Sequence, residues 1–248
     1  MPNAAADFPV VDLQGDFFNL IPSRFPPVDL FERIASGRDT EVAEIENATN
    51  PRIRAEGRLT AGSPYAVDER PPKLQNWNLA PFSYPNPEGS VLFDRTVQCL
   101  ELSGDIQTAL AVSVAKRELF LRRTNVGPIG LDMRMLKRAV NGRFMDVREA
   151  TTSMNGSRLR ALGEAIYPLA KESQCDGVVF HTQERPSGSR IVVLNASVLE
   201  RAIQCEHYRF QWNGSRISKI YTFDNTAPTM DNWIDPEELK DERNLFAA

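Results

Sequence analysis

The chain has 248 residues, 42% of them apolar and 25% charged, and its 29 Lys+Arg against 33 Asp+Glu leave a net charge of −4. This balance excludes collagen-like, disulfide-scaffold and wholly disordered chains, and the length admits one large domain or two small ones with a real core. A mildly acidic total with scattered basic residues lacks the electrostatic footprint of a nucleic-acid or anionic-membrane binder.

In chain order, residues 1–35 are rich in proline and aromatics, with Phe8, Phe17, Phe18, Phe25 and Phe31 among Pro22, Pro26 and Pro27. Proline disfavours regular helix and central strand, so this segment reads as an extended arm packed on a core. Asp39–Asn47 reads as a short helix, and Arg58–Pro87, crowded with prolines, as a loop. Ser90–Leu102 is strand-like. Ser103 or Asp105 then caps a helix carrying Ile106, Leu110, Val114 and Leu121. Ile129–Lys137 and Arg143–Val147 read as strands around an Asn141-Gly142 turn, and Gly156–Lys171 as a second helix. Short strands are expected at Gly177–Phe180 and Arg190–Leu194. A hairpin, Tyr208–Trp212 with Arg216–Thr222, crosses Asn213-Gly214. Asp235–Phe246 reads as a charged terminal helix.

Strands and helices alternate without a βαβ repeat, which favours an α+β fold over a doubly wound sheet. The expected organisation is an arm (1–35), one α+β domain (36–222) and a charged tail or helix (223–248).

Cys99, Cys175 and Cys205 are too few and too dispersed for a disulfide frame, and His181 and His207 too few for a His-rich metal site. The thiols therefore read as reduced and structural, and no metal is expected. No apolar run reaches the roughly 18 residues of a membrane span. The first basic residue is Arg24, after Asp7, Asp12 and Asp16, so the N-terminus does not read as a secretion signal and a cytoplasmic protein is expected. No Gly-x-x-x-x-Gly-Lys-Ser/Thr loop, no Gly-x-Gly-x-x-Gly after a strand and no Gly-x-Ser-x-Gly elbow occurs.

A more specific signal comes from an ordered set of blocks. Ile21–Ile34, Thr49–Arg54, Asn86-Pro87-Glu88-Gly89-Ser90 and Thr108-Ala109-Leu110-Ala111 are followed by Arg117-Glu118 with Phe120-Leu121 and by Leu131–Arg134. Asp176–Phe180 and Tyr208 with Trp212-Asn213-Gly214 complete it. In order and spacing, from about Ile21 to Ile220, the chain resembles the RES-domain family. The resemblance implies a fold like the ADP-ribosyltransferase toxins, and a toxin that consumes NAD⁺ by phosphorolysis or hydrolysis or transfers ADP-ribose to protein. The partner it implies is a small antitoxin-like protein plugging the NAD⁺ cleft, and a homodimer is left open. The chemistry is intelligible. Cleaving the nicotinamide–ribose bond builds oxocarbenium-like positive charge, which a nearby carboxylate favours, while arginines hold the pyrophosphate.

The departures from the family fall on that chemistry. Val91 stands where the family has an arginine, Leu100-Glu101 where it has a tyrosine pair, Val112 in place of a carboxylate and Lys116 in place of a histidine. Thr182 keeps a hydroxyl, but Gln183-Glu184 replaces the arginine that commonly follows. Carried over residue by residue, the resemblance makes Glu101 and Thr182 the candidate catalytic residues. Arg24, Arg33 and Arg54, with Arg52 beside them, become candidates for holding the NAD⁺ phosphates. Glu101 also reads as a solvated charge at a strand end, and His181 as a satisfied edge histidine. The family's NAD⁺ chemistry is thus expected in altered or weakened form. The alternatives are a catalytically degenerate RES-fold module that binds a nucleotide or protein, and a repurposed enzyme acting on another small molecule.

Overall fold

A computed structural model describes residues 8–23, 76–84, 86–154, 156–223, 233–243 and 245–246. Its elements are β1 (Val10–Pro22), α1 (Asn76–Ser83), β2 (Leu100–Ser103), α2 (Ile106–Arg122), β3 (Ile129–Asp146), α3 (Arg148–Thr151) and α4 (Gly156–Glu172). They continue with β4 (Gly177–His181), β5 (Ser189–Val193), β6 (Ile203–Trp212), β7 (Ile217–Phe223) and β8 (Trp233–Ile234). The architecture is α+β. The strands form one sheet in the order β1-β2-β5-β4-β3-β6-β7-β8, and β1 also pairs with β3. Every pairing is antiparallel except β3 with β4.

The extra pairing closes five strands into a circuit, β1–β2–β5–β4–β3. Alternation turns one face of each strand inward. Phe17, Leu100, Leu102, Val140, Phe144, Val179, Ile191 and Val193 accordingly fill a single buried cluster to which all five strands contribute. A second cluster lies under α2, where Leu110, Val114 and Leu121 meet Met133, Met135, Phe210 and Ile220. A third packs α4, through Leu159, Ile166 and Ala170, against Val178, Phe180 and Val192 on the outer face of β4 and β5.

Two local choices set up the site. Asp105 is the N-cap of α2, its carboxylate accepting from the Thr108 N–H at 2.8 Å; Ser103 belongs to β2. On α4, a Cβ at Gly163 would lie 1.8 Å from the Leu92 carbonyl oxygen, so only glycine lets this helix press the Val91–Phe93 turn down onto β2.

Five expectations are corrected. Within the segment expected as an arm, Val10–Pro22 is strand β1 of the sheet, paired along its whole length with β3, because its prolines fall at or beyond its ends. The strand expected over Ser90–Leu102 is restricted to Leu100–Ser103, and residues 91–97 form bends and turns. The Asn141-Gly142 turn does not exist. β3 runs through it as one 18-residue strand, with Asn141 opposite Gln14 and Gly142 opposite Leu13 of β1. The expected loop contains helix α1, which loses only one backbone donor to Pro81. Among the described residues, the terminal helix over Asp235–Phe246 is replaced by a single 3₁₀ turn at Glu238–Lys240. The expected helix Asp39–Asn47 lies outside the described residues.

Candidate functional site

A cleft of about 390 Å³ opens beside β2, floored by Leu100 and Glu101 and walled by Asn19 of β1 and Pro81 of α1, with Cys99 and Lys116 at its side. Glu101 sits between Leu100 and Leu102, whose side chains fill the strand circuit, so the alternation of β2 sends its carboxylate to the outer face. There it is 11% exposed. Its Oε1 accepts from the Val91 N–H at 2.6 Å, and its Oε2 from Arg190 Nη2 at 2.8 Å and from Lys116 Nζ.

Register explains the meeting. Glu101 lies opposite Val192 of β5 and Ser103 opposite Arg190, so the carboxylate reaches diagonally to an arginine on the same face. Arg190 is 2% exposed and its guanidinium lies 5.4 Å from the Phe180 ring centroid. Its Nε has no hydrogen-bond partner. Burial pushes the Glu101 carboxyl up, but the charges of Arg190 and Lys116 and the hydrogen bonds from Lys116 and Val91 outweigh it and hold the group well below the usual carboxylate range. Glu101 is therefore a buried, thrice-bonded anion, and the solvated strand-end reading is corrected.

Cys99 lies in the same cleft, its thiol pushed up to about 12 by burial and by the Glu101 charge. It stays protonated at neutral pH and offers no thiolate nucleophile. All three cysteines are unpaired; Cys175 is buried and the other two are partly exposed.

Thr182 stands apart. It follows the last residue of β4, beyond the intervening β5, and register places it four residues past the position level with Glu101. That is roughly 13 Å along the strands and two strand spacings of about 4.8 Å across. Its buried hydroxyl donates to Glu184 Oε2, and its N–H to the Gly188 carbonyl at 3.4 Å. These bonds close the β4–β5 turn. His181 Nδ1 lies 3.1 Å from the same carbonyl, an acceptor, so Nδ1 carries the proton. The expected pairing of Glu101 and Thr182 in one site is thus not made. Arg24, Arg33, Arg52 and Arg54 lie outside the described residues.

Of the apolar departures, Leu100 lines the cleft; Val112 is buried on α2, and Val91 contributes its backbone N–H. Sequence reading missed the cations. In the sequence Lys116 stands out only as a lost histidine, and Arg190 only as the start of a strand. Arg185 was missed as well: its Nη1 donates to both Asp105 oxygens and to Thr108 Oγ1, each at 3.0 Å. Its position three residues after Thr182 was the available signal.

Residues 64–213, more than half of the chain, match the RES domain. The chain belongs to the RES-domain family. A relative, the uncharacterized protein y4oC of Sinorhizobium fredii (strain NBRC 101917 / NGR234), is 48% identical over 239 residues, covering 96% of this chain and 99% of that protein. The crystal structure of the M. tuberculosis MbcT–MbcA toxin–antitoxin complex matches with a TM-score of 0.36 and 12% identity, covering 79% of this chain and 86% of that one. Among the described residues of this RES protein, no helix is long and apolar enough to cross a membrane. No group of three or more His, Cys, Asp or Glu among them could hold a metal ion.

Proposed function

We propose that this RES-domain protein takes NAD⁺ or a closely related nucleotide into the cleft over β2 and cleaves it far more slowly than the family's chemistry implies. One observation carries the reading: Glu101, the carboxylate on the cleft floor, is held by two cations. A cation developing on the ribose needs net negative charge beside it. Glu101, Arg190 and Lys116 together present one surplus positive charge, the wrong sign for that transition state. The position where the resemblance expects a carboxylate is Val112, which is buried and apolar. Losing one such charge partner costs on the order of 10²–10³ in rate.

Thr182 belongs in this reading as a hydroxyl of the β4–β5 turn. Arg24, Arg33 and Arg54 remain the residues proposed to hold the phosphates. The partner implied is a small antitoxin-like protein seated at the same cleft.

The test is titration of the full chain with NAD⁺ by calorimetry, together with nicotinamide release followed for hours with and without phosphate. Saturable binding with release near the blank rate is expected. Turnover of several per second, or no binding of NAD⁺, overturns the reading.

A further inference from the structure

We infer that Lys116 is an anion-binding residue of the cleft, and that its ammonium turns from Glu101 to a phosphate group of the ligand. The inference rests on the proposal that this cleft is the nucleotide site and adds a residue that recognises charge there, beside the arginines already proposed for the phosphates.

The argument is one of charge and exposure. Arg190 and Glu101, at 2% and 11% exposure, form a buried pair in which each satisfies the other's charge. Removing Glu101 from Arg190 would strand a buried guanidinium, so that pair stays closed. Lys116 differs. Its side chain is 52% exposed, it reaches Glu101 from α2, and its ammonium has three donors, of which Glu101 takes one. It is the surplus charge of the cluster, and it borders the cavity.

The neighbouring ions do not compete for it. Glu88, next in sequence to Gly89 of the cleft lining, pairs with Arg123 at 2.8 Å, and Arg160 donates to the carbonyls of Phe93 and Glu88 at 2.7 and 3.3 Å. An entering phosphate meets a half-exposed cation whose present partner is already neutralised from behind. The exchange of Glu101 for phosphate at Lys116 therefore leaves no buried charge unpaired. A neutral ligand gains nothing from this arrangement, so the class of ligand selected is a phosphate-bearing one.

The experiment titrates inorganic pyrophosphate and, separately, NAD⁺ into the full chain by calorimetry at fixed ionic strength. Lys116→Gln is expected to weaken pyrophosphate binding at least tenfold, Lys116→Arg to retain most of it, and Lys240→Gln, which removes an equal charge at an exposed pair outside the cleft lining, to leave it unchanged. Glu101→Gln is expected to tighten binding several-fold by freeing the ammonium, and that gain is expected to be lost in the double variant Glu101→Gln/Lys116→Gln; a gain that survives the second change overturns the role given to Lys116. Pyrophosphate binding that ignores Lys116→Gln, or is absent from the wild type, overturns the inference. The NAD⁺ titration separates the two readings. NAD⁺ binding indifferent to Lys116 removes this inference alone. Lys116-dependent pyrophosphate binding without NAD⁺ binding removes the nucleotide reading and leaves the anion site.

Discussion

Arg185 and Arg190 belong to the same β4–β5 hairpin, both side chains are buried, and each meets a carboxylate from the β2–α2 segment, Asp105 for one and Glu101 for the other. Their surroundings differ. Arg185 is satisfied on all sides: besides Asp105 and Thr108, its Nε donates to the Asp241 carbonyl at 3.2 Å and its Nη2 to the Glu242 carbonyl at 3.5 Å. Arg190 leaves Nε without an acceptor and shares its carboxylate with a half-exposed lysine beside a cavity. One pair bolts the turn to the helix N-terminus and the C-terminal segment. The other stays closed but leaves one donor unsatisfied, and the lysine that shares its carboxylate borders the cavity, which is where recognition chemistry can act.

The largest effect expected from breaking this symmetry is at Glu101. Glu101→Ala strands the Arg190 charge and should cost about 3–5 kcal/mol in urea denaturation. Asp105→Ala should cost less, about 2 kcal/mol, of which the lost N-cap supplies roughly 1, because Arg185 keeps Thr108 and two carbonyls. A loss at Asp105 equal to that at Glu101 would erase the distinction.

Acid sharpens the comparison. The folded-state carboxyl of Glu101 is held below its ordinary value of 4.5, so its stabilisation is fully present above that pH and is lost as the pH falls below it. The stability gap between the wild type and Glu101→Gln should narrow steadily from about pH 5 downward. A gap unchanged between about pH 5 and pH 3 would contradict the assignment. Smallest of all, Lys116→Gln should change stability by no more than about 1 kcal/mol, since the lysine is half-exposed and Arg190 still neutralises Glu101. A larger loss would make Lys116 part of the bolt rather than a recognition group.

What was legible in the sequence is local. The apolar stripe of α4, the Asp105 cap and the Asn213-Gly214 hairpin all announce themselves within a few residues, and the structure has α4, the α2 cap and the β6–β7 pair in those places. Gly142 misleads because the usual reason for an Asn-Gly pair, a tight turn, is absent. A Cβ there would come within 2.8 Å of Asp176 Oδ2 and Val198 Cγ1, so the glycine serves close packing inside a continuous strand. Glu101 misleads for a different reason. Its neutralising partner stands on a strand 89 positions along the chain, and no local pattern announces that meeting. Sequence order did carry the family, and it singled out Glu101 and Lys116 as departures without showing that they pair with each other.

The long pairing of β1 with β3 also sets a timetable. Pro22 faces Met133 and Val10 faces Met145, so the first strand has no neighbour along that edge until more than a hundred later residues exist. Its other strand pairing among the described residues, Phe18 with Ser103, is a single bridge. At ribosomal rates the strand waits on the order of ten seconds after its own synthesis. Throughout that interval Phe17, which ends buried in the strand circuit, lacks its neighbours on β3. The circuit can close only once the middle of the protein has arrived, so its opening strand is among the last to be stabilised.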